Sequence, residues 1–208
     1  MLYFKSFNKV ISTDYKNNLI LLTNLLQRVE VIPQLLSNPL IFYSYDIQEG
    51  DTPEIIANKY YGDPYRYWLV LFANQIMDPQ WQWPLTSQQF SLYLNDKYSS
   101  VAGINTVLSY TQSTIYQYNK TITTTDSISS NTTSVTIVVD QPTYLLTQTG
   151  TTTQTFSDGN SVTETITKNP VSIYDYEISV NEAKRNIQLI NKNYASDFEK
   201  QLQSLLGT

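Results

Sequence analysis

Residues 43–84, YSYDIQEGDTPEIIANKYYGDPYRYWLVLFANQIMDPQWQWP, form the most strongly patterned stretch of the chain. Tyr43, Tyr45 and Ile47 alternate with polar residues, and this period of two predicts a half-buried strand. Gly50 follows where the chain must turn, and glycine adopts backbone conformations that other residues avoid. The stretch therefore opens with a strand and a turn.

Two short helices are predicted after this turn. Thr52 suits the N-cap of a helix and Pro53 its first position, where the amide that proline lacks would have no helical partner. The Gly-Asp-Pro break at residues 62–64 ends that helix, and residues 65–74 form a second one. Residues 81–85 return as a strand, so the predicted order is strand, helix, helix, strand.

The same residues carry a resemblance to a known module. YDIQEGDTPEIIANKYYGD, followed by WLVLFANQIMDP, resembles a LysM module. The longer string EGDTPEIIANKYYGDPYRYWLVLFANQIMDPQWQWPL resembles the family of LysM-containing baseplate wedge proteins of contractile-tailed, T-even-like bacteriophages. TNLLQRV, FxxYxxxKY and SIYDYExxxNEAKRxIxLI extend this resemblance to both flanks.

The expected fold class is α+β, with a small LysM-like βααβ module, flanking helices and a β-rich insertion. Residues 1–40 are predicted to form an amino-terminal arm with an amphipathic helix, and residues 41–100 to hold the module and a following helix. Residues 101–170 are predicted to be a Thr-rich β insertion. Residues 171–208 are predicted to be a carboxyl-terminal strand and helix arm.

The two arms carry apolar patterns of their own. The leucines and Val29 of residues 19–31 recur on one side of a helix, which indicates either core packing or an arm that docks on a neighbour. Near the carboxyl end, a strand is expected to finish at the pair Tyr174 and Tyr176. Residues 181–190 fit a helical or an extended segment, and residues 197–206 predict a helix.

The Thr-rich segment fits a β-rich insertion better than a disordered linker. Thr and Val favour strands, and residues 134–140 and 143–149 alternate accordingly. Asp158-Gly159 predicts a tight hairpin turn between two further strands. Burial is expected for the aliphatic side chains of this segment, which are Ile137, Val138, Val139, Leu145 and Leu146.

Composition excludes several classes of function. The 208 residues carry a net charge of −5 without a run of Lys or Arg, which argues against a nucleic-acid partner. The chain has no Cys and no His, so thiolate metal sites and the commonest general base are missing. The apolar runs are too short to span a bilayer, and the first residues lack the features of a secretory signal, so no membrane partner is expected.

Catalysis has little support in the residues. Glu49, Asp51 and Glu54 form a tight carboxylate cluster in the patterned stretch, and paired carboxylates can hydrolyse glycosides. Each of the three already has a structural task at a turn or a helix cap. We expect a protein that is not an enzyme and that binds no metal or other cofactor.

The LysM resemblance implies a candidate glycan groove between two turns. On this chain its residues are Gly50, Asp51, Thr52, Asn74, Ile76 and Asp78. The simpler interpretation is that both turns only shape the fold. A single module with long flanks favours docking of protein over sugar. The alternative function is a peptidoglycan-binding LysM protein of a tail tip or cell wall.

The family resemblance implies a structural function. The chain would be made in the host cytoplasm and reside in the virion tail baseplate, joining neighbouring wedge subunits around the tail hub through the module. It implies six copies in a ring, with other wedge proteins and a lysozyme-like sheath initiator as partners. Aromatic and Arg side chains anchor such interfaces. The candidates are Trp68, Trp81, Trp83, Tyr174, Tyr176 and Arg185. Core packing is the alternative for Trp68, and a solvated helix face is the alternative for Arg185.

Overall fold

The computed structural model of the chain describes residues 7–25, 40–103 and 105–206. The chain divides into two compact units. Unit 1 combines the described residues up to Ser87 with those from Asn181 onwards, and unit 2 is Gln88–Val180, inserted between them. Both units mix helices and strands, which confirms the α+β class.

Unit 1 contains the module, and its first half follows the sequence closely. Strand β3 (Phe42–Asp46) leads through the turn into helix α1 (Pro53–Tyr61). The Thr52 hydroxyl accepts a hydrogen bond from the Ile55 amide at 3.3 Å, which is the predicted N-cap. Gly62 ends the helix at φ +73°, a backbone conformation that favours glycine.

The second helical segment has two parts. A 3-10 turn (Pro64–Arg66) leads directly into helix α2 (Tyr67–Ala73), so the predicted helix over residues 65–74 is confirmed in outline. Helix α3 (Pro79–Gln82) follows. The buried side chains of α2 are Trp68, Leu69, Val70 and Ala73.

The strand expected at residues 81–85 is wrong. Residues 81–82 belong to α3, because the Asp78 carboxylate caps that helix and Pro79 fits its first turn. The strand that pairs with β3 is β8 (Asn186–Ile190), which runs antiparallel and places Tyr45 opposite Ile187. Asp46 and its opposite residue in β8 lie 140 positions apart in sequence, so the module is closed by a distant segment.

Helix α8 (Lys192–Leu205) completes unit 1 and confirms the helix predicted over residues 197–206. Two clusters of buried side chains join the early and late parts of the chain. The first contains Phe7, Phe42, Trp68, Leu69, Ala73, Ile190, Ala195, Leu202 and Leu206. The second contains Ile47, Ile56, Ala57, Val70, Ile187 and Leu189.

The helix expected over residues 19–31 is also wrong where the structure describes it. Strands β1 (Lys9–Thr13) and β2 (Leu19–Thr23) pair as an antiparallel hairpin. The Asp14 carboxylate accepts the amides of Lys16 and Asn18 at 2.8 Å and closes the turn. A short apolar run is compatible with either a strand or a helix. Here the turn at Asp14 brings residues 19–23 alongside β1, so they form a strand. Residues 26–39 lie outside the described residues.

Unit 2 begins with helices α4 (Ser87–Ala102) and α5 (Val107–Ser113). Its sheet has the order β5-β4-β7-β6, with all neighbours antiparallel. The strands are β4 (Ile115–Asp126), β5 (Thr132–Val139), β6 (Gly150–Thr155) and β7 (Ser161–Ser172). Helix α6 (Gln141–Leu146) lies between β5 and β6, and α7 (Ile173–Glu182) follows β7. The β-rich insertion, the helix after Pro84 and the hairpin at Asp158-Gly159 are confirmed.

Two strand predictions in unit 2 are wrong. Residues 143–146 belong to α6, because the Asp140 carboxylate caps a helix there by accepting the Thr143 amide. The strand expected to reach Tyr174 and Tyr176 ends at Ser172, whose hydroxyl accepts the Asp175 amide at the start of α7.

The burial expected for the aliphatic residues of the insertion is wrong as well. Ile137 is 45% exposed and Leu146 is 80% exposed, and Val138 and Leu145 are exposed too. Only Val139 is half-buried. None of the positions in the four strands of this sheet is fully buried, so neither face of the sheet forms a core that could cover these side chains.

Candidate docking site

The first turn of the candidate groove is built around Asp51. Its carboxylate is buried and accepts hydrogen bonds from the Tyr45 hydroxyl at 2.7 Å and from the Gln48 amide at 3.2 Å. The ammonium group of Lys59 forms an ion pair with the other carboxylate oxygen at 2.6 Å. Gly50, at φ +81°, makes the turn, and Thr52 caps α1. Both oxygens of Asp51 therefore serve the fold.

Burial and hydrogen bonding shift the pKa of the Asp51 carboxylate in opposite directions. Burial alone would raise the pKa of Asp51, but the hydrogen bonds from Lys59, Tyr45 and the backbone hold it below its ordinary value. Burial and the neighbouring carboxylate together raise the pKa of Tyr45 to about 12. Asp51 is thus a charged structural anchor and is poorly suited to donate a proton.

The second turn of the candidate groove is tied to β8. The Asn74 amide group donates to the carbonyl oxygens of Val70 at 2.8 Å and of Gln188 at 2.7 Å, and its side-chain oxygen accepts the Gln188 amide at 2.7 Å. Ile76 is half-buried, and Asp78 caps α3. The simpler interpretation of both turns, that they shape the fold, is the one that these contacts favour.

The three tryptophans occupy different environments. Trp68 is only 4% exposed and packs in the first core cluster, so the structure does not place it at a surface. Trp83 is half-buried, and its indole N–H donates to the Asp51 carbonyl at 2.9 Å. Trp81 is 67% exposed. Of the three candidates, Trp81 alone presents most of its ring to solvent.

The backbone that carries Trp81 is firmly held. The Gln82 side-chain oxygen accepts the amides of Met77 and Asp78, both at 2.8 Å. The ammonium group of Lys184 donates to the Trp81 carbonyl at 2.7 Å. Met77, also largely exposed, lies four residues before Trp81 in the sequence, and we call Met77 and Trp81 together the Trp81 surface. An exposed indole on a fixed backbone loses little conformational freedom when it binds.

Arg185 has a structural environment rather than a solvated one. Its guanidinium contacts the Glu182 carboxylate at 2.7 Å, the Glu49 carboxylate at 3.3 Å and the Ile47 carbonyl at 3.3 Å. The Ile47 amide donates in return to the Arg185 carbonyl at 2.9 Å. Arg185 therefore fastens the start of β8 to the end of β3.

The two C-terminal tyrosine candidates lie in unit 2, on α7, and both are half-buried. Tyr174 meets the ring of Phe90 edge to face, with 5.9 Å between the ring centroids. Tyr176 stacks on Tyr116 at 3.9 Å. The structure thus does not bring these two together with Trp81 in one unit.

Sequence reasoning missed a second buried carboxylate. Glu177 accepts hydrogen bonds from Lys97 at 2.6 Å, Tyr98 at 2.6 Å and Tyr93 at 2.9 Å. Burial would raise its pKa, but these donors, led by Lys97, lower it below the ordinary value. The spacing of the Tyr, Lys and Tyr in FxxYxxxKY is the signal that could have predicted the network, because it places all three on one side of α4.

Neither a metal-binding cluster nor a membrane-spanning helix occurs among the described residues. Within residues 7–25, 40–103 and 105–206, no group of three or more Asp and Glu side chains lies close enough to hold a metal ion. No helix in these ranges is both long and apolar enough to cross a membrane. The feature of unit 1 that remains for contact with a partner is the exposed ring of Trp81 on its firmly held backbone.

Comparison with known proteins identifies the family. The sequence profile of the family described as "Base plate wedge protein 53" matches residues 4–205. The chain belongs to this family, so it is a structural protein of the phage baseplate wedge and is located in the tail baseplate of the virion. The "Baseplate wedge protein gp53" of Enterobacteria phage T4 is 38% identical over 61 residues. That match covers 29% of this chain and 31% of the relative's length.

Proposed function

We propose that the chain joins neighbouring wedge proteins around the tail hub and that the module of unit 1 is its docking domain. The observation that carries this proposal is the exposure of Trp81 on a backbone held from three sides, by Asp78, Gln82 and Lys184. Tryptophan and methionine are enriched at protein interfaces, and a buried tryptophan is a frequent hot spot of binding energy.

The module is proposed to be LysM-like. The order of β3, α1, α2 and β8 gives the βααβ arrangement, with the Thr52 cap at the first turn and Asn74 at the second. The insertion of unit 2 before the last strand is the main departure from a compact module. The side chain of Asn181 bonds to both the amide and the carbonyl of Leu85, so the chain leaves and re-enters unit 1 at one place.

Protein docking fits the site better than peptidoglycan binding does. Asp51, Thr52, Asn74 and Asp78, four members of the candidate glycan groove, already form hydrogen bonds within the chain. A sugar hydroxyl would have to compete with these contacts. The ring of Trp81, by contrast, is 67% exposed, so a partner can cover it without displacing the contacts of the two turns.

The partners proposed on the family resemblance are other wedge proteins and the lysozyme-like sheath initiator, with six copies of this chain in a ring. The test is the affinity of the purified chain for wedge proteins of the same phage, measured one protein at a time. We expect Trp81→Ala to weaken one of these affinities about 30-fold, equivalent to about 2 kcal/mol at a hot spot.

Tyr65→Ala is the matched control, because Tyr65 is a similarly exposed aromatic residue of unit 1. It is expected to change the same affinity less than about twofold, and neither variant should shift the melting temperature by more than the error. An affinity that Trp81→Ala leaves unchanged would refute docking through this surface. Retention of the wild-type chain on insoluble peptidoglycan would instead favour the sugar-binding alternative.

A further inference from the structure

The hairpin of β1 and β2 presents aliphatic side chains on both of its faces. The register pairs Val10 with Leu22 and Ser12 with Ile20 on one face, and directly opposed residues share a face. On the other face Ile11 lies opposite Leu21 and Thr13 opposite Leu19. All six aliphatic side chains are exposed: Val10, Ile11, Leu19, Ile20, Leu21 and Leu22.

The hairpin is nevertheless a well-formed element. The Asp14 carboxylate closes its turn by accepting the side chain and the backbone amide of Asn18, and these bonds lower the pKa of Asp14. Asn17 adopts the left-handed conformation that such a turn needs, with φ +60°. At the base, Phe7 is buried in the first core cluster. The hairpin is thus anchored to the core, whereas a free two-stranded hairpin is only marginally stable in water.

We propose that this hairpin inserts into an apolar cleft of another baseplate protein, which covers both of its faces. The proposal rests on the proposed function, that the chain joins wedge proteins, and it adds a second contact to the Trp81 surface. Contiguous exposed apolar surface of this kind marks an interaction site in soluble proteins.

The available area argues against a second copy of the chain as the occupant. Three aliphatic side chains on one face correspond to roughly 200–350 Å² of apolar surface. Each partner in a stable dimer contributes about 800 Å². Two hairpins stacked face to face would therefore bury too little, and their outer faces would remain in water. A cleft with two walls covers all six side chains at once.

Charge specifies the rim of that cleft. Lys9, Asp14 and Lys16 are the charged residues of the segment 7–25, and the turn already uses the Asp14 carboxylate. Lys9 donates to the Thr23 hydroxyl and Lys16 lies over the Tyr15 ring, and neither forms an ion pair with a described residue. The hairpin is thus net positive on a chain of net charge −5. We expect apolar walls and carboxylates at the mouth.

The direct test is photo-crosslinking in assembled baseplates. A benzophenone amino acid replaces Ile11 in one chain variant and Leu22 in another, so that each face carries a probe. The expected result is that both positions crosslink to the same second protein, at peptides rich in apolar residues. The proposal would be overturned if both positions crosslinked only within this chain or to other copies of it, or if neither position gave a crosslink.

The same probe at Trp81 separates this proposal from the proposed function. If Trp81 crosslinks to a wedge protein and the hairpin positions do not, the hairpin proposal fails and the docking function stands. If none of the three positions reaches another protein, both fail.

A substitution tests the consequence for assembly. Ile11→Thr combined with Leu21→Thr keeps strand propensity but removes apolar area from one face. We expect at least tenfold fewer copies of this variant in assembled particles, with an unchanged melting temperature because both side chains are exposed. Tyr15→Thr at the hairpin tip is the control and should be incorporated normally. Normal incorporation of the double variant would overturn the proposal.

Lys9→Glu combined with Lys16→Glu tests the acidic rim and is expected to reduce incorporation more strongly at low than at high salt. Incorporation that is unchanged at every salt concentration would overturn the acidic rim.

Discussion

The two units of this chain reach a folded state by different means. Unit 1 has only a two-stranded sheet in its module, but that sheet and three helices enclose two clusters of buried side chains. Unit 2 has a four-stranded sheet of which most side chains are exposed or half-buried. The larger sheet is therefore the less buried one.

Unit 2 relies on contacts between neighbouring strands. Hydroxyl groups pair across one face of its sheet, for example Thr121 with Thr136 at 2.9 Å and Thr151 with Thr165 at 3.1 Å. Such cross-strand pairs stabilise a sheet by fractions of a kcal/mol each. In unit 1, by contrast, each buried Leu or Ile contributes about 1.5–3 kcal/mol. Substitutions of buried side chains in unit 1 should therefore be far more damaging than substitutions in the sheet of unit 2.

The largest expected effect is that of a chain that ends at Arg185. This truncation removes β8 and α8, and with them the core residues Leu189, Ile190 and Leu202. Unit 1 should lose its fold, while the sheet of unit 2 persists in far-UV circular dichroism. All three tryptophans belong to unit 1, so their fluorescence reports that unit alone. Native tryptophan emission from the truncated chain would contradict the account.

The next largest effect is expected from truncating one buried aliphatic side chain in unit 1, compared with one half-exposed aliphatic side chain in unit 2. Leu189 is fully buried in the second core cluster, so Leu189→Ala should reduce the free energy of unfolding of unit 1 by about 2–5 kcal/mol. Ile137→Ala, at a half-exposed position of β5, should reduce that of unit 2 by less than about 1 kcal/mol. Denaturant titrations followed by fluorescence and circular dichroism measure both. Equal losses would remove the distinction between the units.

The buried carboxylates give a smaller effect, and here the two units should behave alike. Asp51→Asn and Glu177→Gln each weaken a network of hydrogen bonds to a buried group, with an expected loss of about 1–3 kcal/mol. The partner lysines are about half exposed, so their charges are not stranded in the core.

The same carboxylates predict a pH dependence. Both have a pKa that folding lowers from its ordinary value, 3.8 for Asp51 and 4.5 for Glu177. Their contribution to stability is therefore fully present above those values and is lost as the pH falls below them. Melting temperatures measured from pH 6 downwards check this. In each amide variant, the melting temperature of the unit that carries the substitution should fall less steeply with decreasing pH. If the melting temperatures of both variants fell with decreasing pH as steeply as that of the wild type, the assigned hydrogen-bond networks would be contradicted.

The smallest effect is expected in the hydroxyl face of unit 2. Thr123→Val removes the contact with the Ser134 hydroxyl at 3.2 Å but keeps a β-branched side chain in the strand. We expect a change of no more than about 0.5 kcal/mol in the free energy of unfolding of unit 2. A loss above about 2 kcal/mol would show that the hydroxyl pairs dominate its stability.

Local signals in the sequence predict local structure well in both units. The Thr52 cap, the break at residues 62–64 and the Asp158-Gly159 turn each depend on neighbouring residues and are confirmed. The strand that closes the module could not be predicted in this way, because nothing near β3 indicates that its partner lies beyond a whole inserted unit. The predicted burial of the aliphatic residues of β5 was wrong for a related reason. A hydrophobic side chain does not by itself show whether the rest of the fold can cover it.

In the candidate site too, local sequence predicts some features and tertiary packing determines the others. Aromatic composition indicates an interface, but the sequence treats Trp68, Trp81 and Trp83 alike. Their different exposures arise from tertiary packing, with Trp68 in the core and Trp83 bonded to the Asp51 carbonyl. The Asp78-Pro79 helix start is the local feature that could have singled out Trp81, because it puts a short, capped helix where a strand was expected.

The most direct test of the account is a disulfide between β3 and β8. Ser44 lies opposite Gln188 at exposed positions, and the chain has no cysteine of its own. Ser44→Cys with Gln188→Cys should form an intrachain disulfide quantitatively under mild oxidation, because opposed residues of paired strands bring their Cβ atoms within reach of such a bond. The control, Ser44→Cys with Leu85→Cys, joins β3 to the segment first expected to close the module and should remain reduced. The opposite outcome, a disulfide to position 85 and none to position 188, would contradict closure of the module by the distant strand.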